Sequence, residues 1–242
     1  RFHRRSIFSP HPQQVTLVSH LAVRGLPALT QQLSSWSSFA SVCLVVAKEE
    51  EKAVIDKWWR SSASALQLVD LHLLLPSASS HPHSECPANI LRNIAIGAAR
   101  STVVLLLDVD VLPFTDRMVA IDRAAQRLLS DGSDERQVFV LPAFEFAAQA
   151  ATMKPLDLRQ DFVPSSTPAD QHVGAHTREK LRLLSLLDRG LVRQHRVLHS
   201  PRAHGACDYE RWIAATRPYA VHYAAGFEPF LLCRQDIPRF DW

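Results

Sequence analysis

Two carboxylates, Asp108 and Asp110, stand one residue apart directly after the apolar run Val103-Val104-Leu105-Leu106-Leu107. Such a run predicts a strand buried on both faces, with the acids at the point where a sheet opens to a crevice. Burying carboxylates there without partners is costly. A divalent cation relieves the cost, and an all-oxygen donor set suits Mg²⁺ or Mn²⁺ shared with a substrate's phosphates. The chemistry this implies is Lewis-acid assistance to a departing diphosphate. Asp-x-Asp is a short motif, and its bland counterpart is a pair of acids capping the next helix or lying in a solvated loop.

The elements that must position this pair follow from periodicity. Residues 14–19 and 41–47 are short β-rich runs, separated by a leucine-spaced stretch over 26–36 that suits a helix. A second helix is expected over 49–60 and a strand over 66–75, followed by a Pro-, Ser- and His-rich loop over 76–87. Residues 89–100 have helical spacing, with Ile90, Leu91, Ile94 and Ala98 available for one face, and lead into the apolar strand before the acids. Beyond them a helix is expected over 116–129, a turn at 131–133 and a strand over 137–142. Residues 154–176 carry little periodicity and predict a long loop. A helix over 178–189 ends at Gly190, and 218–234 predicts a strand pair or a strand-loop-strand. Strands alternating with helices give an α/β domain whose site lies at the carboxyl ends of the strands.

Composition sets the outer bounds. The chain has 242 residues, 47% of them apolar, enough for a large core in one large domain or two small ones, one being the better reading. Lys and Arg number 27 against 24 Asp and Glu, a net +3 that gives no case for a nucleic-acid partner. The basic run Arg1-Phe2-His3-Arg4-Arg5 is expected to be a solvated end. Four cysteines, Cys43, Cys86, Cys207 and Cys233, are too widely spaced for a zinc or redox motif, leaving buried thiols or one disulfide. No apolar run approaches the ~20 residues that span a bilayer. With no initiator Met or signal-like segment, the chain reads as a fragment, and any membrane anchor is expected outside it.

An ordered set of blocks is more specific than any one of them. Pro87-Ala88-Asn89-Ile90-Leu91-Arg92-Asn93-Ile94-Ala95 comes first, then Leu107-Asp108-Val109-Asp110-Val111-Leu112-Pro113, then Val140-Leu141-Pro142-Ala143-Phe144-Glu145. His204, Trp212, Thr216, Pro218-Tyr219, Phe227-Glu228-Pro229-Phe230, Arg234-Gln235-Asp236 and Pro238-Arg239-Phe240-Asp241 follow. In this order the chain resembles the family 49 glycosyltransferases, the LARGE-type and β-1,4-glucuronyltransferase domains that act on dystroglycan glycans. The resemblance runs from about Val15 to Asp241.

What the resemblance implies is a GT-A type domain over 14–242, preceded by an N-terminal extension over 1–13. That domain is a mainly parallel sheet flanked by helices, binding a UDP-sugar donor with Mn²⁺ or Mg²⁺ at the Asp-x-Asp pair. Asp110 is then the direct metal ligand, and Asp108 contacts the ribose or reaches the metal through water. Thr16, Ser19 and Arg24 become candidates for the uracil and phosphates, with an ordinary capped loop as the bland alternative. Asn89, Arg92 and Asn93 join them, Arg92 as a bidentate clamp on phosphate or on a sugar carboxylate. An inverting transfer to a glycan acceptor also needs a base, for which Glu145 and Glu228 are the two candidates. Trp212 and Tyr219 are aromatic enough to stack on a sugar, although core packing is the commoner role. The family further implies a Golgi membrane protein, lumenal in its catalytic part, moving a sugar such as glucuronic acid.

Two other functions fit parts of the pattern. One is a degenerate domain that keeps the fold and only recognises a glycan or a partner. The other is a haloacid-dehalogenase-type phosphatase, whose first motif is also an apolar strand ending in Asp-x-Asp; that class needs a later acidic pair, which the sequence does not supply. Two departures from family 49 stand out. The 154–176 loop is longer than the family pattern, and the chain stops at Trp242, before an acceptor loop and a C-terminal His that would complete the metal shell.

Overall fold

Four strands whose residues are almost all buried carry the expected parallel pattern. In the computed structural model, which describes residues 2–64, 66–75, 88–113, 119–130, 137–147, 178–195, 200–204 and 207–241, they are β2 (Val15–Ala22), β3 (Ala40–Val45), β4 (Val69–Leu74) and β5 (Val103–Leu106). β2 pairs in parallel with β3 and with β5, and β3 pairs in parallel with β4. An edge strand β1 (Phe2–Arg4) adds antiparallel to β4, and β9 (Phe230–Arg234) adds antiparallel to β5. With β6 (Val138–Leu141) the sheet has seven strands in the order β1-β4-β3-β2-β5-β9-β6. This is the mainly parallel α/β sheet expected.

Helices supply the cover that such strands need. In α1 (Leu26–Ser34) the buried stripe is Leu26, Leu29 and Leu33, spaced three to four residues apart, with a proline in the first turn where its missing N–H is harmless. α2 (Glu50–Ser61) opens on Glu50 and Glu51 and closes on Arg60, charges that suit the helix dipole. The Glu51 carboxylate also accepts from the N–H groups of Ala47 and Lys48 just before the helix. α3 (Ala88–Ala98) lays Leu91, Ala95 and Ile96 against Val18, Cys43, Val104, Leu106 and Cys233 of the sheet. α4 (Val119–Ser130) packs on β9 and β2.

Residues 1–139 and 230–242 form one compact unit and residues 140–229 a second. The second holds a two-stranded antiparallel sheet of β7 (Phe144–Phe146) and β8 (Val192–Gln194). It also holds α5 (Arg178–Asp188), the single turn α6 (Pro201–His204) and α7 (Tyr209–Ala214). α5 stops where expected, at Gly190 with φ +66°, a left-handed conformation that a side chain would strain. The core of this unit is Cys207, Tyr209 and Phe227, with Val140, Phe144 and Val221 packed on it.

Three expectations need correction. The basic N-terminal run is not simply a solvated end: residues 2–4 pair with β4, and Arg4 reaches Asp56 at 3.1 Å. The first strand does not stop at residue 19 but runs to Ala22, because Leu21 is apolar, buried and still paired with Leu44. Among the described residues 218–234 hold one strand rather than two; Pro218 and Pro229 lack ladder donors and Gly226 takes φ +85°. The predicted loops over 76–87 and 154–176 and the turn at 131–133 lie outside the described residues. No helix among the described residues is long and apolar enough to cross a membrane.

Candidate functional site

The β2–β5 ladder registers Val18 against Leu106 and gains one more bond, Leu107 N–H to Val18 O at 3.2 Å. The chain then turns: Val111 N–H donates to Asp108 O at 3.0 Å, so Asp108 and Asp110 share one tight turn at the carboxyl end of the strand. Asp110 is exposed, and the Asp108 side chain is 43% exposed. Neither acid is shut in a closed interior.

Strand alternation decides what Asp108 meets. Leu106 faces α3, so Asp108, two residues on, leans the same way. Arg92 of α3 meets it there, Nη2 to Oδ1 at 3.1 Å. Its Nη1 donates to Asn89 Oδ1 at 3.2 Å, and its guanidinium carbon lies 5.7 Å from the centroid of the Phe240 ring. His20 of β2 lies within their field. Burial pulls its pKa down, Arg92 pushes the same way, and Asp108 only partly opposes them. The imidazole beside the ion pair is therefore kept neutral near pH 7.

The other expected donor-binding residues are placed as follows. Asn89 donates from Nδ2 to Asp241 O at 2.8 Å. Asn93 is buried and engages Phe240 twice, Nδ2 to its carbonyl at 2.9 Å and Oδ1 from its N–H at 3.0 Å. Thr16 is buried near the start of β2, its hydroxyl 2.6 Å from that of Ser101, and so lies toward the end of the sheet opposite the acids. Ser19 is mid-strand and buried, with no hydrogen-bond partner for its hydroxyl among the described residues. Arg24 is exposed in the 3-10 turn Val23–Gly25 just past the carboxyl end of β2. The sheet thus brings Asp108, Asp110, Arg92 and His20 together and leaves Thr16 apart.

In the second unit Glu145 sits on β7 opposite Arg193 of β8. Arg193 Nε lies 2.6 Å from Glu145 Oε1, and His195 Nδ1 lies 3.6 Å from Oε2. The His195 ring packs edge-on against buried His204 at 4.9 Å. Glu228 is exposed, and its backbone N–H anchors to Ala203 O at 3.0 Å. Trp212 and Tyr219 are built into the unit. Trp212 packs on Phe144 at 5.2 Å, and the Tyr219 hydroxyl donates to the carbonyls of Cys207 and Asp208.

Could the acidic turn take a metal? Among the described residues no three His, Cys, Asp or Glu side chains converge as a ready-made metal cage. Mg²⁺ and, by the same oxygen-donor preference, Mn²⁺ do not need one at phosphate sites: one or two carboxylates suffice, with phosphates and water completing the shell. A partly exposed Asp108 and an exposed Asp110 on one turn fit that donor set.

Two residues here escaped the sequence reading. His20 shares a strand face with Val18, and only the extension of β2 past residue 19 places it at the carboxyl end. Gln32 is fully buried on α1, and its amide donates to Asp108 O at 2.8 Å and Val111 O at 2.7 Å. Its one signal was a polar residue within the stripe marked by Leu29 and Leu33.

A family model described as glycosyl-transferase for dystroglycan matches residues 76–242. The human xylosyl- and glucuronyltransferase LARGE2 is 30% identical over 233 residues, covering 96% of this chain and 28% of its own length. Mouse LARGE1, a xylosyl- and glucuronyltransferase, is 26% identical over 229 residues, covering 94% of this chain and 26% of its own. A Dictyostelium discoideum glycosyltransferase-like protein, gnt14, is 26% identical over 219 residues, covering 90% and 30%. The chain thus spans less than a third of the length of these relatives. The S. aureus TarS 1–349 structure aligns with a TM-score of 0.30 and 16% identity, over 51% of this chain and 39% of that one.

Proposed function

The chain belongs to the glycosyl-transferase family for dystroglycan, and on that premise we propose that it is the donor-binding catalytic part of a metal-dependent, inverting glycosyltransferase. The donor is a UDP-sugar, glucuronic acid being the sugar we favour, and the acceptor is a glycan. The observation that carries the reading is the exposed acidic turn at the carboxyl end of β5, where α/β sheets bind their ligands. Family membership takes the place of the phosphatase alternative. From the family we infer a Golgi-lumenal compartment for the catalytic part of a membrane-anchored protein.

Asp110 would hold Mn²⁺ or Mg²⁺ directly, and Asp108 would contact the ribose or hold a metal-bound water. The bound cation supplies the positive charge that stabilises the diphosphate as it leaves. Arg92 is a cation that the chain itself provides beside Asp108. Its five donors are only partly used by Asp108 and Asn89, which leaves a planar edge suited to a phosphate or a glucuronate carboxylate. Because His20 stays neutral, it adds no second positive charge to compete for Asp108.

The base must take a proton from the acceptor hydroxyl as that oxygen attacks the anomeric carbon. Of the two expected carboxylates we favour Glu228, which is exposed. Glu145 is the less suitable, since Arg193 and His195 both face its oxygens.

The test is binding of UDP and UDP-glucuronic acid with and without Mn²⁺. Asp110→Ala should lose Mn²⁺-dependent UDP binding by at least tenfold while its melting temperature stays within about 2 °C of the parent, because an exposed acid contributes little to stability. Unchanged Mn²⁺-dependent binding in that variant would remove Asp110 from the site.

A further inference from the structure

The backbone that carries both acids is held from beneath by one side chain. Gln32 is 0% exposed, in the second turn of α1, with buried Leu29 and Leu33 on the same stripe. Its Nε2 donates both hydrogens across the fold, to Asp108 O at 2.8 Å and to Val111 O at 2.7 Å. Those carbonyls bracket the Asp-x-Asp turn, which is itself closed by Val111 N–H to Asp108 O. We propose that Gln32 is the positioning residue of the acidic turn, fixing its backbone so that Asp108 and Asp110 stay in the arrangement a divalent cation needs.

Geometry supports a clamp in preference to ordinary packing. A primary amide nitrogen carries two coplanar hydrogens at a fixed angle, so satisfying two carbonyls with one nitrogen fixes their separation. The orientation of the amide is forced by chemistry: both partners are acceptors, and a flipped amide would set its oxygen against them. That orientation leaves Gln32 Oε1 buried without a hydrogen-bond partner among the described residues. A side chain present only to fill space between leucines would be apolar. Asp108 is consequently gripped twice by different elements, its carbonyl by α1 and its carboxylate by Arg92 of α3. Asp110, between two fixed carbonyls, keeps only its side-chain rotamers to adjust. Outer-shell groups that orient ligands in this way commonly account for ten- to a hundredfold in metal affinity.

This inference rests on the reading of the acidic turn as a metal site, and the experiment separates the two. The probe is Mn²⁺ titrated into the full chain with saturating UDP, free Mn²⁺ being followed by electron paramagnetic resonance and folding by thermal melting. Gln32→Met keeps the volume and removes the donors. Gln32→Glu keeps the shape and turns oxygens toward the carbonyls, so that a folding failure in one variant leaves the other to decide. Leu33→Ala, on the same helix stripe, is a destabilised control with the clamp intact. Ten- to a hundredfold weaker Mn²⁺ binding in the Gln32 variants is expected, with wild-type affinity in the folded fraction of Leu33→Ala. Wild-type affinity in a folded Gln32 variant, alongside lost binding in Asp110→Ala, overturns the positioning role alone. Equal loss in Leu33→Ala also overturns it, since destabilisation would then explain the effect. If Asp110→Ala matches the parent, the metal reading falls and the clamp falls with it.

Discussion

His72 on β4 is 2% exposed, and its Nε2 lies 3.2 Å from the Ser41 hydroxyl. That hydroxyl donates to Ala95 O at 2.8 Å, so it accepts from His72, which a neutral ring with the proton on Nε2 provides. Burial lowers the His72 pKa to about 4, with Asp70 only partly opposing it. Between pH 4 and the unfolded value of about 6.5 the unfolded chain therefore binds the extra proton, and folding stability rises with pH across that window. The contribution is complete above about pH 6.5 and is lost as pH falls toward 4. Urea midpoints at pH 7, 5.5 and 4.5 should drop more steeply for the parent than for His72→Gln, and parallel curves would count against a neutral buried ring. The contrast between Asp108 and Gln32 shows what residue types reveal on their own. Acids after an apolar strand announce chemistry. A glutamine on a leucine stripe does not, because its partners are backbone carbonyls 76 and 79 residues away.

At the level of elements, α3 does more than cover the sheet. The sequence marked Asn89, Arg92 and Asn93 as one donor-binding set, and helical spacing does put them on neighbouring turns. Arg92 turns toward the acids, whereas both asparagines hold the closing segment at Phe240 and Asp241, and Gln235 adds a bond to Ile96 O at 2.9 Å. Spacing along one helix cannot tell these partners apart, since both lie more than a dozen residues away. Asn93→Ala should release this clasp. Losing the reciprocal pair exposes about 1–3 kcal/mol of local stability, so exchange of the Phe240 amide should quicken by roughly ten- to a hundredfold. The Gln235 amide, bonded to Thr102 O at 2.8 Å, should keep its protection. Hydrogen exchange resolved by residue would show this, and equal loss at both amides would mean wider unfolding. Strands and long helices were the legible elements because each is written in local periodicity. The β7–β8 pair was not, since two three-residue strands, with α5 between them in sequence, have no period to read.

Across the whole molecule, alternating strand and helix periodicity identified an α/β protein, whereas composition gave a large core without locating the split at residues 139 and 230, which depends on contacts far apart in sequence. It also left the cysteines open between thiols and a disulfide. Cys43, Cys207 and Cys233 are buried thiols. Burial raises Cys207 to about 11 and Cys233 to about 12. At pH 8 the thiolate fraction of either is then on the order of a thousandth or less, so both should resist alkylating reagents and disulfide exchange. Iodoacetamide at pH 8 should leave these three unlabelled in the native chain and label all of them in urea, read by peptide mass spectrometry. Native labelling at Cys233 would contradict the packing of β9 against β5.

That packing bears on how the protein is made. β9 lies between β5 and β6, yet nearly ninety residues separate it from β6 along the chain. A ribosome has therefore released both flanking strands long before the one that joins them. During that interval β5 offers an unsatisfied hydrogen-bonding edge just beside the acidic turn, and such an edge invites chaperones or mispairing. Closure of the sheet and completion of the ground under the acids become a single late event in synthesis.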